Sequence, residues 1–186
     1  MTKLDDAFDV VARADFLPPK VRPFADLDRA LAIGHDATNS QPWTVRYMLE
    51  HLDPQPGDRV LDVGSGSGWT TALLAYLVGE TGRVVGVDIV PELVEMGRRH
   101  MDDRFPWARF EEAEEGVLGW PESAPYDRIL VSADGGRVPE ELEAQLAPGG
   151  RMVLPAAQRI IIVHKDADGK LTRNAAAGMF SFVELR

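Results

Sequence analysis

A chain of 186 residues that is 45% hydrophobic is long enough for one domain with a real core and too apolar to be disordered. It contains no cysteine, which excludes disulfides and thiolate metal sites and fits a reducing, cytoplasmic setting. A net charge of −10 argues against a nucleic-acid partner, no apolar run is long enough to span a bilayer, and the first residues lack the apolar stretch of a signal peptide.

Apolar positions at Leu4, Ala7, Phe8, Val11 and Ala12 give residues 4–16 a helical spacing. Pro18, Pro19 and Pro23 break it, and residues 24–42 read as a long irregular arm of the kind that often carries function. Helical periodicity returns at Val45, Met48, Leu49 and Leu52 and ends at Pro54, Pro56 and Gly57. A strand over 59–63, a helix over 69–78 and a strand over 83–88 follow. Pro91 opens the next helix, where a proline is tolerated. Further strands are predicted over 108–113 and 127–133, a short helix over 139–146, and a turn at Pro148-Gly149-Gly150 leading into a strand over 151–155. Residues 159–165 form a β-branched strand, 166–170 a hairpin turn, and 180–185 a closing strand. Alternation of β and α ending in an antiparallel pair predicts an α/β domain: a mostly parallel sheet, helices on both faces, and an antiparallel hairpin at one edge. The whole chain, 1–186, reads as a single domain. It divides into an arm (1–56), a core (57–155) and a terminal hairpin (156–186).

The chemistry-bearing stretch is Arg59-Val-Leu-Asp-Val-Gly-Ser-Gly-Ser-Gly-Trp69, followed by Val84-Val-Gly-Val-Asp-Ile89. Glycines 64, 66 and 68 let the backbone turn sharply and approach a ligand, and Asp88 can accept hydrogen bonds from both ribose hydroxyls. The pattern is G-x-G-x-G rather than the dinucleotide G-x-G-x-x-G, and no Lys-Ser/Thr pair follows. A cofactor with a ribose and no pyrophosphate suits it, and S-adenosyl-L-methionine fits. Asp62, Gly64, Ser65, Gly66, Ser67, Asp88 and Ile89 are the candidate contacts. A tight turn without a ligand is the alternative.

Four blocks make the sequence resemble the protein-L-isoaspartate O-methyltransferase family. They are Ala14-Asp-Phe-Leu-Pro18 with Thr38-Asn-Ser-Gln-Pro42, the glycine-rich stretch from Gly57 to Gly68, Gly119-Trp-Pro-Glu-Ser-Ala-Pro-Tyr-Asp-Arg-Ile129, and Leu146-Ala-Pro-Gly-Gly-Arg-Met-Val-Leu-Pro155. Phe182-Val-Glu-Leu185 is similar to the family's closing strand. The resemblance implies a Rossmann-like, seven-stranded methyltransferase fold. It also implies methyl transfer to the α-carboxylate of an L-isoaspartyl residue in a damaged protein or peptide, a repair step in which the ester closes to a succinimide. A carboxylate with a reference pKa near ~4 needs no general base. Alignment of reactants and exclusion of water would carry catalysis.

Ser40 matches the family's functional serine, which would orient the carboxylate, with Thr38, Asn39, Gln41 and Pro42 as substrate neighbours. A helix cap before Pro42 is the alternative for this serine. Glu115 stands where the family usually has Asp, before Gly116, at the adenine end; an exposed acidic turn is the alternative, since Glu111, Glu112 and Glu114 crowd it. Asn39 replaces the usual Ile. Asp134 lies in a normally Ala-rich stretch, where its carboxylate is expected near the pocket mouth and would repel an anionic substrate; an exposed loop acid is the alternative. The ends are short for the family. Aspartate methylation in a dedicated peptide and a non-catalytic cofactor-binding role therefore stay open, while a tRNA adenine acceptor is disfavoured. His35, His51, His100 and His164 lack metal-ligand spacing. Trp43 and Trp69 are candidates either to flank the cofactor or to pack.

Overall fold

The computed structural model describes residues 2–185; Met1 and Arg186, the outer bounds of the expected domain, lie outside them. Helix α1 (Lys3–Val10) starts on a reciprocal cap between Thr2 and Asp5. It stops earlier than the 4–16 periodicity predicts. Residues Arg13–Phe16 instead form a tighter 3-10 turn that points both Arg13 and Phe16 inward.

The arm is not irregular. Within it, β1 (Leu31–Gly34) and β2 (Ala37–Asn39) form an antiparallel hairpin closed by His35 and Asp36. Both turn residues have positive φ, +54° and +57°, the backbone that matches the twist of a two-residue hairpin. Leu31 and Ile33 are buried against Leu17, Ala25 and Leu93, while Ala32 and Gly34 face out.

The remaining elements are α2 (Pro42–Leu52), β3 (Arg59–Val63), α3 (Trp69–Val78), β4 (Arg83–Asp88), α4 (Pro91–Met101), β5 (Ala108–Glu112), β6 (Tyr126–Val131), α5 (Glu140–Ala144), β7 (Leu146–Ala156), β8 (Arg159–Lys165) and β9 (Leu171–Ala175). The seven-stranded sheet runs β5-β4-β3-β6-β7-β8-β9. Pairings are parallel from β5 to β7 and antiparallel from β7 to β9. Strand order reverses between β3 and β6, the place where open α/β sheets bind ligands at their carboxyl ends.

Period-two alternation sorts the core. Val60, Val84 and Leu130 face one side of the sheet, where α1 to α4 pack; Leu61, Val63, Val85, Val87, Ile129 and Val131 face the other. The layers are uneven. The second face is covered by α5 together with loop residues such as Leu118 and Trp120 rather than by long helices.

Two strand predictions are corrected. Residues 180–185 do not join the sheet; they run beside Asp134 and touch it through an isolated bridge at Glu184. The strand that pairs with β8 across the 166–170 turn is β9, whose mostly polar, exposed sequence hid it. Strand β7 also begins five residues before Arg151, with a register break opposite Tyr126 and Arg128 that absorbs Pro148-Gly149-Gly150.

Candidate active site

The carboxyl ends of β3, β4, β5 and β6 open into a cavity of about 1100 Å3. That is large for a small-molecule pocket and leaves room beside a nucleoside for a peptide side chain. The glycine loop forms its floor. The β1–β2 hairpin and residues Ser181 to Leu185 also border it.

Local geometry explains the loop. Gly64, Gly66 and Gly68 all have positive φ. At Gly68 a Cβ would lie 2.9 Å from the Phe110 ring and 3.0 Å from Gly97 Cα, so this glycine lets α3 sit tight against α4 and β5. At Gly66 a Cβ would meet the Ile33 side chain at 3.3 Å, which places the hairpin directly over the loop. His100 Nδ1 lies 3.0 Å from the Ser67 carbonyl oxygen; a carbonyl only accepts, so the ring donates and the loop is fixed from behind.

Asp88 faces the loop. Its Oδ2 accepts from Gly66 N at 2.9 Å and its Oδ1 from Val90 N at 3.0 Å. A carboxylate has about four acceptor sites, so the group retains capacity for a pair of hydroxyls on the cavity side. Burial raises its pKa, opposed by the N–H groups of Val90, Gly66 and Ile89. Ile89, Glu115 and Gly116 border the same cavity. These groups fit S-adenosyl-L-methionine: the loop presents glycine backbone at one end, Asp88 lies between, and the segment at Glu115 lies at the other.

Asp62 is corrected as a direct contact. It does not border the cavity, because strand alternation turns it under α3, where it is fully buried. Its Oδ2 accepts from the hydroxyls of Thr70 and Thr71, both at 2.7 Å, while Oδ1 has no partner among the described residues. Burial raises its pKa to about 6, opposed by Thr71 and Thr70. An unfolded aspartate titrates near 3.8, so between about pH 4 and 6 the folded chain keeps a proton that the unfolded chain releases. Stability attributable to this group therefore falls as pH rises through that window and stays low above it. Asp62→Asn removes the penalty. Urea unfolding from pH 4.5 to 7 is expected to show the variant gaining about 2 kcal/mol relative to the parent across that span, in line with roughly 1.4 kcal/mol per pKa unit.

Thr38, Asn39, Ser40 and Gln41 border the cavity; Pro42 does not, and is spent on opening α2. The helix is not capped by Ser40. Its N-cap is Gln41, without a side-chain cap bond, and Asp28 serves the helix start from a distance, accepting from Trp43 N at 2.9 Å and Gln41 Nε2 at 3.0 Å. Among the described residues the Ser40 hydroxyl makes no hydrogen bond, which leaves it available to a ligand.

Arg13 organises this segment. Buried at 7% exposure, it donates to Asn39 Oδ1 at 2.7 Å and to the carbonyl oxygens of Ala25, Leu27, Arg29, Asn39 and Ser40 at 2.8–3.1 Å. These partners lie 12–27 residues away in the chain, so no local pattern marks them.

Asp134 is also corrected. Its carboxylate is not at the cavity wall: Oδ1 accepts from Gly136 N at 2.7 Å and Ala157 N at 3.2 Å, and Oδ2 from Gln158 N at 3.1 Å. Against the upward pull of partial burial, the N–H groups of Gln158, Gly136 and Ala157 hold its pKa below the usual range. Its backbone pairs with Val183 and Leu185, so this residue fastens the terminal segment. Trp43 lies outside the cavity, 52% exposed and stacked on Tyr47 and Phe180. Trp69 borders the cavity but is mainly a packing residue: it is buried against the edge of Phe8 and donates to the Val11 carbonyl.

Comparison with known proteins agrees with this layout. A family model described as protein-L-isoaspartate(D-aspartate) O-methyltransferase matches residues 1–185. The protein-L-isoaspartate O-methyltransferase of Methanothrix thermoacetophila is 43% identical over 175 residues, covering 90% of this chain and 81% of the relative. That of Methanopyrus kandleri is 41% identical over 189 residues, covering 98% and 83%. Among solved structures, a protein-L-isoaspartate O-methyltransferase superposes with a TM-score of 0.88 at 28% identity, covering all of this chain and 62% of its own. A Plasmodium falciparum structure in complex with S-adenosyl-L-homocysteine has the same fold, with a TM-score of 0.87 at 21% identity, covering all of this chain and 91% of its own.

Proposed function

The chain belongs to the protein-L-isoaspartate O-methyltransferase family, and from that premise we propose that it transfers a methyl group from S-adenosyl-L-methionine to the free α-carboxylate of L-isoaspartyl residues in damaged proteins or peptides. One observation carries the reading: the Ser40 hydroxyl, free of any capping duty among the described residues, shares a cavity with the glycine loop and Asp88.

The cofactor supplies an activated methyl group. The chain's own residues supply the rest. Gly64, Ser65, Gly66 and Ser67 form the cradle, Asp88 takes the ribose hydroxyls, Ile89 lies against the base, and Glu115 with Gly116 serves the adenine end. Asp62 acts from beneath, bracing the start of α3 through Thr70 and Thr71. Ser40 donates to one oxygen of the substrate carboxylate and so aims the other, while Thr38 and Gln41 hold the surrounding peptide. The carboxylate is already ionised at neutral pH, so positioning and shielding from water are the work required.

The Asp134 carboxylate is ionised but lies off the cavity wall, bound by backbone N–H groups, a placement compatible with an isoaspartyl substrate. The charge of −10 favours a peptide acceptor over a nucleic acid, and the cysteine-free composition suits a cytoplasmic protein. No helix among the described residues is long and apolar enough to cross a membrane.

The test is methyl transfer from labelled S-adenosyl-L-methionine to one peptide made in isoaspartyl and aspartyl forms. Label on the isoaspartyl form alone supports the proposal; label on the aspartyl form, or on neither, refutes it. Ser40→Ala is expected to lower kcat/KM by about 100-fold, the order lost when a reactant is misplaced by an ångström. Affinity for S-adenosyl-L-homocysteine, measured by calorimetry, should change less than twofold. Equal loss of both would show that the serine acts on the fold and not on the substrate.

A further inference from the structure

Asn39 stands between the two halves of the site. Its side chain is buried at 5% exposure, and its orientation is dictated by its neighbours. Arginine only donates, so Oδ1 must face Arg13, whose Nε lies 2.7 Å away; Nδ2 then points the other way and donates to Ser67 Oγ at 3.2 Å. Asn39 is adjacent in sequence to Ser40, and the carbonyl oxygens of both residues accept from the same Arg13 nitrogen, at 3.1 and 2.9 Å. On the far side, the Ser67 carbonyl is held by His100. A single amide thus ties the turn that carries the Ser40 hydroxyl to the glycine loop, across 28 residues of chain.

We propose that Asn39 is a positioning residue that couples the cofactor loop to Ser40, so that a loop settled around its cofactor sets the serine in place for the peptide carboxylate. The idea rests on the function proposed above. Ser67 borders the cavity, and its hydroxyl accepts from Asn39 while keeping its own proton to donate. A donor engaged on the cavity side polarises the oxygen and strengthens the bond it accepts. Such coupling works in both directions: whatever the cofactor contributes to peptide affinity, the peptide contributes to cofactor affinity.

The experiment measures the affinity of a non-reacting complex as well as rates. An isoaspartyl peptide is titrated into the protein with and without saturating S-adenosyl-L-homocysteine, for the parent, Asn39→Leu, Ser67→Ala and the double variant. In the parent, the homocysteine compound is expected to tighten peptide binding about tenfold. In each single variant the enhancement should shrink below threefold. The double variant should lose no more kcat/KM than the worse single one, because both substitutions cut the same bond. Ser67→Ala leaves the Arg13–Asn39 bond intact and reads the coupling even if Asn39→Leu folds poorly. Losses that multiply in the double variant, or an enhancement that survives in Ser67→Ala, overturn the proposal while the functional reading stands. A parent protein that neither binds nor methylates the isoaspartyl peptide overturns both.

Discussion

Replacing Arg13 by leucine is expected to remove about 3–5 kcal/mol of folding stability, read as a lowered urea midpoint, because several buried acceptors lose their donor at once. Five carbonyl oxygens and one amide oxygen converge on this guanidinium. Each acceptor left dry costs about 1–3 kcal/mol, and water reaching some of them limits the sum. Desolvation lowers the arginine's pKa to about 10, partly offset by Asp28, so the group is charged throughout the neutral range. Its charge is balanced by carbonyl dipoles and by the Trp69 ring, 5.5 Å from the guanidinium carbon. Arg13→Lys keeps the charge but not the planar fork, and should recover less than half of the lost stability. Methyl transfer should fall further than stability in both variants, since the Ser40 carbonyl is one of the released groups.

The second large effect concerns the cofactor. Asp88→Asn is expected to weaken binding of S-adenosyl-L-homocysteine by about 100-fold, close to 2.8 kcal/mol, the scale of hydrogen bonds to a charged acceptor. The amide also turns one acceptor into a donor against either Gly66 N or Val90 N, which loosens the loop itself. The parent should show a pH dependence that the variant lacks. Burial raises the Asp88 pKa, so its carboxylate takes up a proton at a higher pH than a free aspartate does, and affinity should fall as pH is lowered through that range. Calorimetric titration across acidic pH checks this; a variant with the same acid limb as the parent would place the titrating group elsewhere.

The cofactor half of the site was legible in the sequence because its signal is local. The run from Arg59 to Asp88 carries strand, loop, helix and strand within one unit, and at Gly68, Gly82 and Gly86 a Cβ would strike a close neighbour. The substrate half was legible only as a resemblance. The segment holding Ser40 owes its shape to Arg13, Asp28 and Ser67, none of them near it in sequence. The β1–β2 hairpin shows alternation over only four residues, with its buried face met by distant Leu17 and Leu93. Strand β9 was missed because a polar strand on a sheet edge has no buried face to write into the pattern. Residues 180–185 look like a strand because Phe182 and its neighbours alternate, yet Asp134 captures them first. A lone acid in a loop, as at Asp134, gives no sign that three backbone N–H groups await it.

That polar rim has a use for a protein whose proposed clients are damaged chains. Such chains expose unpaired backbone and will zip onto any flat, apolar border they meet. Here one border of the sheet, β5, carries Arg109, Glu111 and Glu112, and the other, β9, presents Thr172, Arg173 and Asn174 to solvent. A repair enzyme built this way can receive an aged polypeptide at its mouth without offering its flanks as a template for co-aggregation.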